Sequence, residues 1–319
     1  MKKIKSFGTI ISKDESQLIF FFLISVICSI LIGIYLFKKN MMLSFSEIFN
    51  PDMKKIERKV DLFLKKDYDA NITYLYFDGS KKDIKRNIEV FKDIVDFLDK
   101  KYYKENDIFK RGKVSLKMIQ FGLNSKEIID NLVEFLNYAK SKNIFVWISA
   151  FHYTYTWDEC MTYISLFERG YTNLGITIAC YHKKVDKYVN LVLNRGGHIR
   201  LVKGYYNDGQ IKDWNIVTQN YYRNALKIIK SPQYHQLATH DFEKVLAPLN
   251  KIKKLENLYN KEFGFFINST KHVESEMKKY NIDLPNKCIF ITFGKKFKHI
   301  KTNFNYINFR RLLRIKNII

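Results

Sequence analysis

Two cations and a glycine close a short apolar run in the stretch Arg195-Gly-Gly-His198-Ile-Arg200-Leu-Val-Lys203-Gly204-Tyr-Tyr206-Asn-Asp208. The run His198–Val202 reads as a buried strand. An arginine inside it is costly to bury unless an anion or an electron-rich ligand meets it. Gly204 lets the backbone turn sharply or approach a ligand closely. The pattern suits binding of an anionic or electron-rich group; a strand end with solvated cations is the alternative. Lys117, Ser149 and Thr239-His240 lie within or at the ends of other apolar runs. Arg310, Arg311 and Arg314 fall in a terminal amphipathic stretch, where Arg310 and Arg314 share a helix face. Such a cluster suits a carboxylate or phosphate, because guanidinium forks pair with planar anions. Its alternative is a solvated helix face, and the alternative for Thr239-His240-Asp241 is a strand end followed by a helix cap.

The elements that must position these residues follow one rhythm. Eight short apolar runs occur at Ile72–Phe77, Val114–Gln120, Ile144–Ala150, Leu174–Tyr181, His198–Val202, His235–Thr239, Phe263–Ile267 and Cys288–Phe293. Helical patterns lie between them. Ile84, Ile88, Phe91, Val95 and Leu98 recur at three- and four-residue spacing, as do Ile128, Leu132, Val133 and Leu136. Further helices are expected over Trp157–Arg169, Lys184–Leu193, Val217–Lys230, Asp241–Tyr259 and Phe304–Lys316. Alternation of this kind predicts an α/β fold, a (β/α)8 TIM-type barrel, with an open doubly wound sheet as the alternative. No G-x-G-x-x-G follows the first run, which argues against a nicotinamide-binding domain. In a barrel, function gathers where strands end.

The chain has 319 residues, 46% hydrophobic and 16% aromatic, enough for one large folded domain. Its formal charge is +23, but the lysines are spread along the chain and interleaved with acids, so no nucleic-acid partner is expected. A basic membrane-surface or nucleic-acid binder is a third reading that rests on charge alone. Cys28, Cys160, Cys180 and Cys288 form no C-x-x-C, and the histidines form no H-x-x-x-H, so reduced thiols and no metal site are expected. Leu18–Phe37 is an uncharged run flanked by lysines, long enough to span a bilayer as a helix. The expected organisation is a basic segment (1–17), a single transmembrane helix (18–37), a stalk and leading helix (38–69) and the barrel (70–319). Localisation at a membrane follows, with lipid as a partner. Asn71-Ile-Thr73 and Asn268-Ser-Thr270 match the short glycosylation pattern.

Four segments in this order resemble the proline dehydrogenase family, FAD-dependent barrels that oxidise proline. Arg200-Leu-Val-Lys203-Gly204-Tyr-Tyr206 is similar to the family's R-L-V-K-G-A-Y, and Val114-Ser-Leu-Lys117 to its V-S-x-K-L. Ala238-Thr239-His240-Asp241 is similar to A-T-H-D, and Tyr306 with Arg310-Arg311-Leu312 to Y-L-x-R-R-L. The resemblance implies a flavoprotein oxidoreductase that converts proline, or a related cyclic amino acid, to pyrroline carboxylate. It implies Arg200 beside the flavin N5 and Lys117 as a charged partner of substrate and flavin. It implies cofactor contacts from Lys203, Gly204, Thr239 and His240. Arg310 and Arg311 would clamp the substrate carboxylate, and Tyr206 would pack over the substrate ring. Family members pass electrons to a membrane quinone.

The chain departs from the family at several positions. The third strand should carry an acid, yet Trp147-Ile-Ser149-Ala-Phe151 has no carboxylate. Ala179 stands where the family has a flavin-touching glutamine. Arg314 stands where a glutamate follows the arginine pair, and Phe290 falls on a family tyrosine. Asn207–Tyr221 is shorter than its counterpart. The competing expectation is therefore a barrel that has lost oxidation and serves as a membrane-anchored binding or scaffold protein.

Overall fold

The computed structural model describes residues 53–75, 80–151, 153–204, 210–251 and 260–294. The expected membrane span, Tyr206 and the stretch Arg310–Arg314 lie outside them. Among the described residues no helix is long and apolar enough to cross a membrane.

A leading helix, α1 (Met53–Leu64), precedes strand β1 (Asp69–Tyr74). Strands and helices then alternate: α2 (Lys81–Lys101), β2 (Lys113–Leu116), α3 (Ser125–Ser141), β3 (Phe145–Ile148), α4 (Thr156–Glu168) and β4 (Leu174–Ala179). The second half comprises α5 (Val185–Leu193), β5 (Ile199–Val202), α6 (Trp214–Lys230), β6 (His235–Ala238), α7 (Ala247–Lys251), β7 (Lys261–Phe266), α8 (Thr270–Lys279) and β8 (Lys287–Phe293). All eight strands are parallel, and β1 pairs with β8 from Asp69↔Cys288 to Tyr74↔Phe293. The sheet is thus a closed barrel in sequence order, not an open sheet.

Local signals account for the helices. Ser80 caps α2 by accepting the Asp83 N–H, and Asn124 caps α3 by accepting that of Glu127. Ile84, Phe91, Ile94, Val95 and Leu98 form the buried stripe of α2. One departure from α geometry precedes α7. Phe242–Leu246 is π-helical, with the Leu246 N–H bonded to Asp241 O five residues back. Pro248 lies two residues beyond it, where an ordinary α turn would set its ring against the Lys244 carbonyl.

The barrel divides each strand's side chains between two environments. In β2, Val114 and Leu116 join the large apolar core between sheet and helices. Lys113 and Ser115 face the interior instead, where they meet Glu262 and Asn71. The interior floor, at the strands' N-terminal ends, is a separate aromatic cluster of Phe145, Trp147 and Tyr234 with Phe109. Phe109 stacks on Tyr234 with ring centroids 4.5 Å apart. Beside it, the fully buried Lys113 Nζ donates to Glu262 Oε1 at 2.7 Å and to Arg111 O at 2.8 Å. Tyr234 and Gln236 donate to the other Glu262 oxygen. Asn71 accepts the Ser115 hydroxyl at 2.6 Å inside the barrel, so in the folded chain it is no glycosylation site.

Candidate functional site

The mouth is built where strands end. Lys117 follows β2, Ser149 follows β3, Ala179 closes β4, and Lys203 and Gly204 follow β5. Thr239 and His240 follow β6, and Phe266 closes β7. Arg200 sits within β5, paired in register with Thr177 and Gln236. Its side chain is 4% exposed and reaches across three neighbouring strands. Nε donates to Thr177 Oγ1 at 2.8 Å, Nη1 to Ser115 Oγ at 2.7 Å and Nη2 to Ser149 Oγ at 2.8 Å. The rings of Trp147 and Phe290 lie over the guanidinium, each centroid 5.3 Å from Cζ. Two glycines make room for them. A Cβ on Gly175 would lie 2.3 Å from the Trp147 ring, and one on Gly264 would lie 2.6 Å from that of Phe290.

No carboxylate contacts Arg200 among the described residues. Hydroxyl dipoles and aromatic faces hold it. Burial pulls its guanidinium down to about 10, still protonated at neutral pH. Ser149 thus occupies the place of the expected acid and bonds the arginine without neutralising it. Ser149→Asp is expected to raise stability by about 1–2 kcal/mol, because an ion pair to the protonated guanidinium replaces a charge–dipole bond. Its thermal midpoint should rise by several degrees. An unchanged midpoint would show that the hydroxyls already satisfy Arg200.

The other expected site residues are distributed around the rim. Lys117 Nζ donates to Ala150 O at 2.9 Å and lies 5.2 Å from the Phe151 ring centroid. Lys203 donates to Thr218 Oγ1 at 2.7 Å and forms an ion pair with Asp241. Asp241 also caps the helical turn after β6, accepting the Lys244 N–H, and Thr239 Oγ1 accepts the N–H of Asp241. That stretch is therefore a strand end followed by a cap. His240 stacks on Phe266 with rings 6° from parallel, and its Nε2 lies 2.7 Å from Ser269 Oγ. Burial, with a smaller push from His272, lowers His240 to about 4, so the ring is neutral at physiological pH. Gly204 has a φ of +98°, and a Cβ there would lie 1.7 Å from the Tyr181 ring. Only glycine permits that turn and that contact together. The structure joins Arg200 and Ser149 directly. Lys203 belongs to a separate ion pair.

Sequence reasoning missed four contributors. Ser115 and Thr177 complete the Arg200 collar; their signal was alternation, since each sits two residues from another inward-facing position. Glu262 anchors the floor. Glu159, on the first turn of α4, is 2% exposed. Burial pushes Glu159 up to about 8, against the pull of the Lys117 charge.

Solved structures share this architecture. The chain is similar to proline utilization A from Bdellovibrio bacteriovorus, inactivated by N-propargylglycine, at 16% identity and a TM-score of 0.68. That match covers 91% of this chain and 34% of the other. A mutant of proline utilization A from Bradyrhizobium japonicum matches at 16% identity and a TM-score of 0.58, covering 72% and 27%. Proline utilization A with proline bound in remote sites matches at 16% identity and a TM-score of 0.60, covering 77% and 28%. The chain thus spans about a third or less of the structures it resembles, and the likeness is one of fold. No family model matches the chain, and no curated protein does.

Proposed function

We propose that the chain is an FAD-dependent, proline dehydrogenase-like oxidoreductase acting on proline or a related cyclic amino acid. The observation that carries this reading is Arg200. A protonated guanidinium is held at the mouth of a proline utilization A-type barrel by three hydroxyls and two rings, with no carboxylate in contact among the described residues.

The donor set fits a flavin ring in part. Three of the five Arg200 N–H groups go to hydroxyls, which leaves two for ring acceptors. Lys117 adds a second cation at the rim, and Gly204 admits close backbone approach. Ala179 contributes no amide. FAD, held here, would supply the hydride acceptor. Arg200, preorganised and shielded from water, would stabilise negative charge developing at that position without reorganising. Lys117 holds a second positive charge beside the substrate. Neutral His240 acts as a hydrogen-bonding wall and not as a cation. Arg310 and Arg311 are assigned to the substrate carboxylate and Tyr206 to its ring, on the sequence resemblance. Proline loses a hydride from the carbon beside its nitrogen and a proton from that nitrogen. The uncharged run 18–37 supports a single-pass membrane anchor, and with it a quinone as the electron acceptor.

The alternative, a barrel that binds but does not oxidise, draws on one observation. Lys203, Asp241 and Thr218 satisfy one another, which leaves Lys203 committed within the protein. An assay separates the two readings. Purified full-length chain, loaded with FAD, is given proline and an artificial electron acceptor while pyrroline carboxylate is trapped. Proline-dependent product is expected; FAD retention with no product would favour the binding barrel.

A further inference from the structure

Six large apolar side chains are exposed among the described residues, and four of them, Leu123, Trp214, Ile216 and Phe266, stand on the mouth face, where strands end and helices begin. Trp214 and Ile216, 57% and 45% exposed, lie in the first turn of α6. Exposed lysines flank that turn. Lys183 and Lys184 lead into α5 on one side, and Lys244 follows β6 on the other. Hydrogen bonds join the three segments: the Lys183 N–H donates to Gln210 Oε1 at 3.0 Å, and Lys244 Nζ reaches the Oδ1 of Asn215, between Trp214 and Ile216, at 3.4 Å. Of the acids in this sector, Asp186 pairs with Arg223 and Lys227, and Asp241 with Lys203. Two others are exposed, Asp213, which caps α6, and Glu243. Lys183, Lys184, Lys212 and Lys244 outnumber that pair. Helix dipoles favour acids at such entries and disfavour lysines, so the helices gain nothing from these cations.

We propose that this sector of the mouth face docks on an anionic bilayer, with Trp214 and Ile216 entering the headgroup region and Lys183, Lys184 and Lys244 meeting lipid phosphates. An indole suits the headgroup level, where its apolar body and polar N–H both find partners, and each lysine near an anionic surface adds attraction. The patch is small, so alone it holds weakly. A tether at residues 18–37, part of the reading above, raises its effective concentration at the lipid and makes a weak patch sufficient. A docked barrel turns its mouth toward the bilayer, where a lipid-dissolved electron acceptor is met. That consequence rests on the oxidoreductase reading; the docking itself does not.

The test is quenching of tryptophan fluorescence by brominated acyl chains, with the full-length chain in vesicles of phosphatidylcholine, with or without phosphatidylserine, and no flavin or proline present. Trp147 is fully buried and Trp157 partly buried, so Trp214 dominates the response. Its emission is expected to fall about twofold in vesicles containing phosphatidylserine and little in phosphatidylcholine alone. Trp214→Phe should abolish the drop. The double variant Lys183→Glu, Lys184→Glu should lower the ratio of docked to undocked protein about tenfold, and high salt should do the same. Acids suit a helix entry, so that variant is expected to fold. Equal quenching with and without phosphatidylserine, or a drop that the lysine variant leaves unchanged, overturns the docking. Absence of quenching in every vesicle also overturns it, and protection of Trp214 by RNA or an acidic polypeptide would then assign the patch to that partner. Protein that docks but never oxidises proline sinks the oxidoreductase reading and leaves the docking result intact; protein that oxidises proline without docking does the reverse.

Discussion

Lys113→Met is expected to lower the unfolding free energy by about 3–5 kcal/mol, because it leaves a buried carboxylate without its cation. Lys113 is fully enclosed at the barrel floor, 2.7 Å from Glu262 Oε1 and 3.7 Å from Asp69. After the substitution Glu262 keeps only the neutral donors Tyr234 and Gln236. The double variant Lys113→Met, Glu262→Leu should recover most of the loss, since a buried pair replaced by apolar groups is close to neutral. The pH dependence has a definite sign. Burial pulls Lys113 down, but Glu262 and Asp69 outweigh it and hold the ammonium above the ordinary lysine range. A base raised on folding contributes fully below its unfolded value and loses that contribution only as pH rises through its folded value. Lys113 itself therefore contributes evenly from neutral to mildly alkaline pH, but Asp69, which burial raises to about 7 and whose charged form Lys113 favours, should make the deficit of Lys113→Met grow as pH rises through about 7. Urea denaturation of the two variants checks this; a single-variant loss under about 1 kcal/mol would show that the floor does not depend on the pair.

Arg200→Met should slow proline-dependent flavin reduction by about 10²–10³-fold, the loss typical of removing one preorganised stabiliser of developing charge. The same change should cost little stability. It removes a charge met by hydroxyls alone and places a thioether under the Trp147 and Phe290 rings. A rate loss without a stability loss marks a functional arginine; a structural one would show the reverse. Arg200→Lys keeps the charge but cannot make three bonds from one planar group, so an intermediate rate is expected. Rapid mixing of FAD-loaded variants with proline, alongside their thermal midpoints, separates these outcomes.

All eight strands and their order were legible in the sequence, because β-branched runs alternate with helical stripes. Their boundaries were not. The expected first strand, Ile72–Phe77, begins three residues later than the observed Asp69–Tyr74, and the seventh misses Lys261 and Glu262. Four of these five lost residues are polar, Ala70 being the exception. Asp69, Asn71 and Glu262 belong to the interior polar network, so hydrophobicity points away from the residues that line it. Helix α8 had no visible stripe, since Val273 alone among its ten residues is buried. The helix expected over Asp241–Tyr259 begins instead as a π-helical turn ahead of Pro248, with the part after Lys251 outside the described residues.

Within the site, the sequence identified Arg200 and its missing acid. It could not identify what holds the arginine. Ser115, Ser149 and Thr177 come from three strands and converge only when the barrel closes. Glu159 was hidden for a different reason. An acid in the first turn of a helix is ordinarily a solvated partner of the helix dipole, and only the packing of α4 against the barrel buries it. Ala179 and Ser149 stand where the resemblance expects a glutamine and an acid, and Arg200 donates to three hydroxyls, one of them that of Ser149.

Under the proposed function, this barrel mouth holds a flavin and passes hydride to it from proline. The most direct measurement is the visible absorption spectrum of the full-length chain, purified with FAD and mixed with proline in the absence of oxygen. Bleaching of the flavin band by proline, and its return on admitting an electron acceptor, is the predicted result. A folded protein that retains no FAD, or a bound flavin whose spectrum proline and other cyclic amino acids leave unchanged, would contradict it.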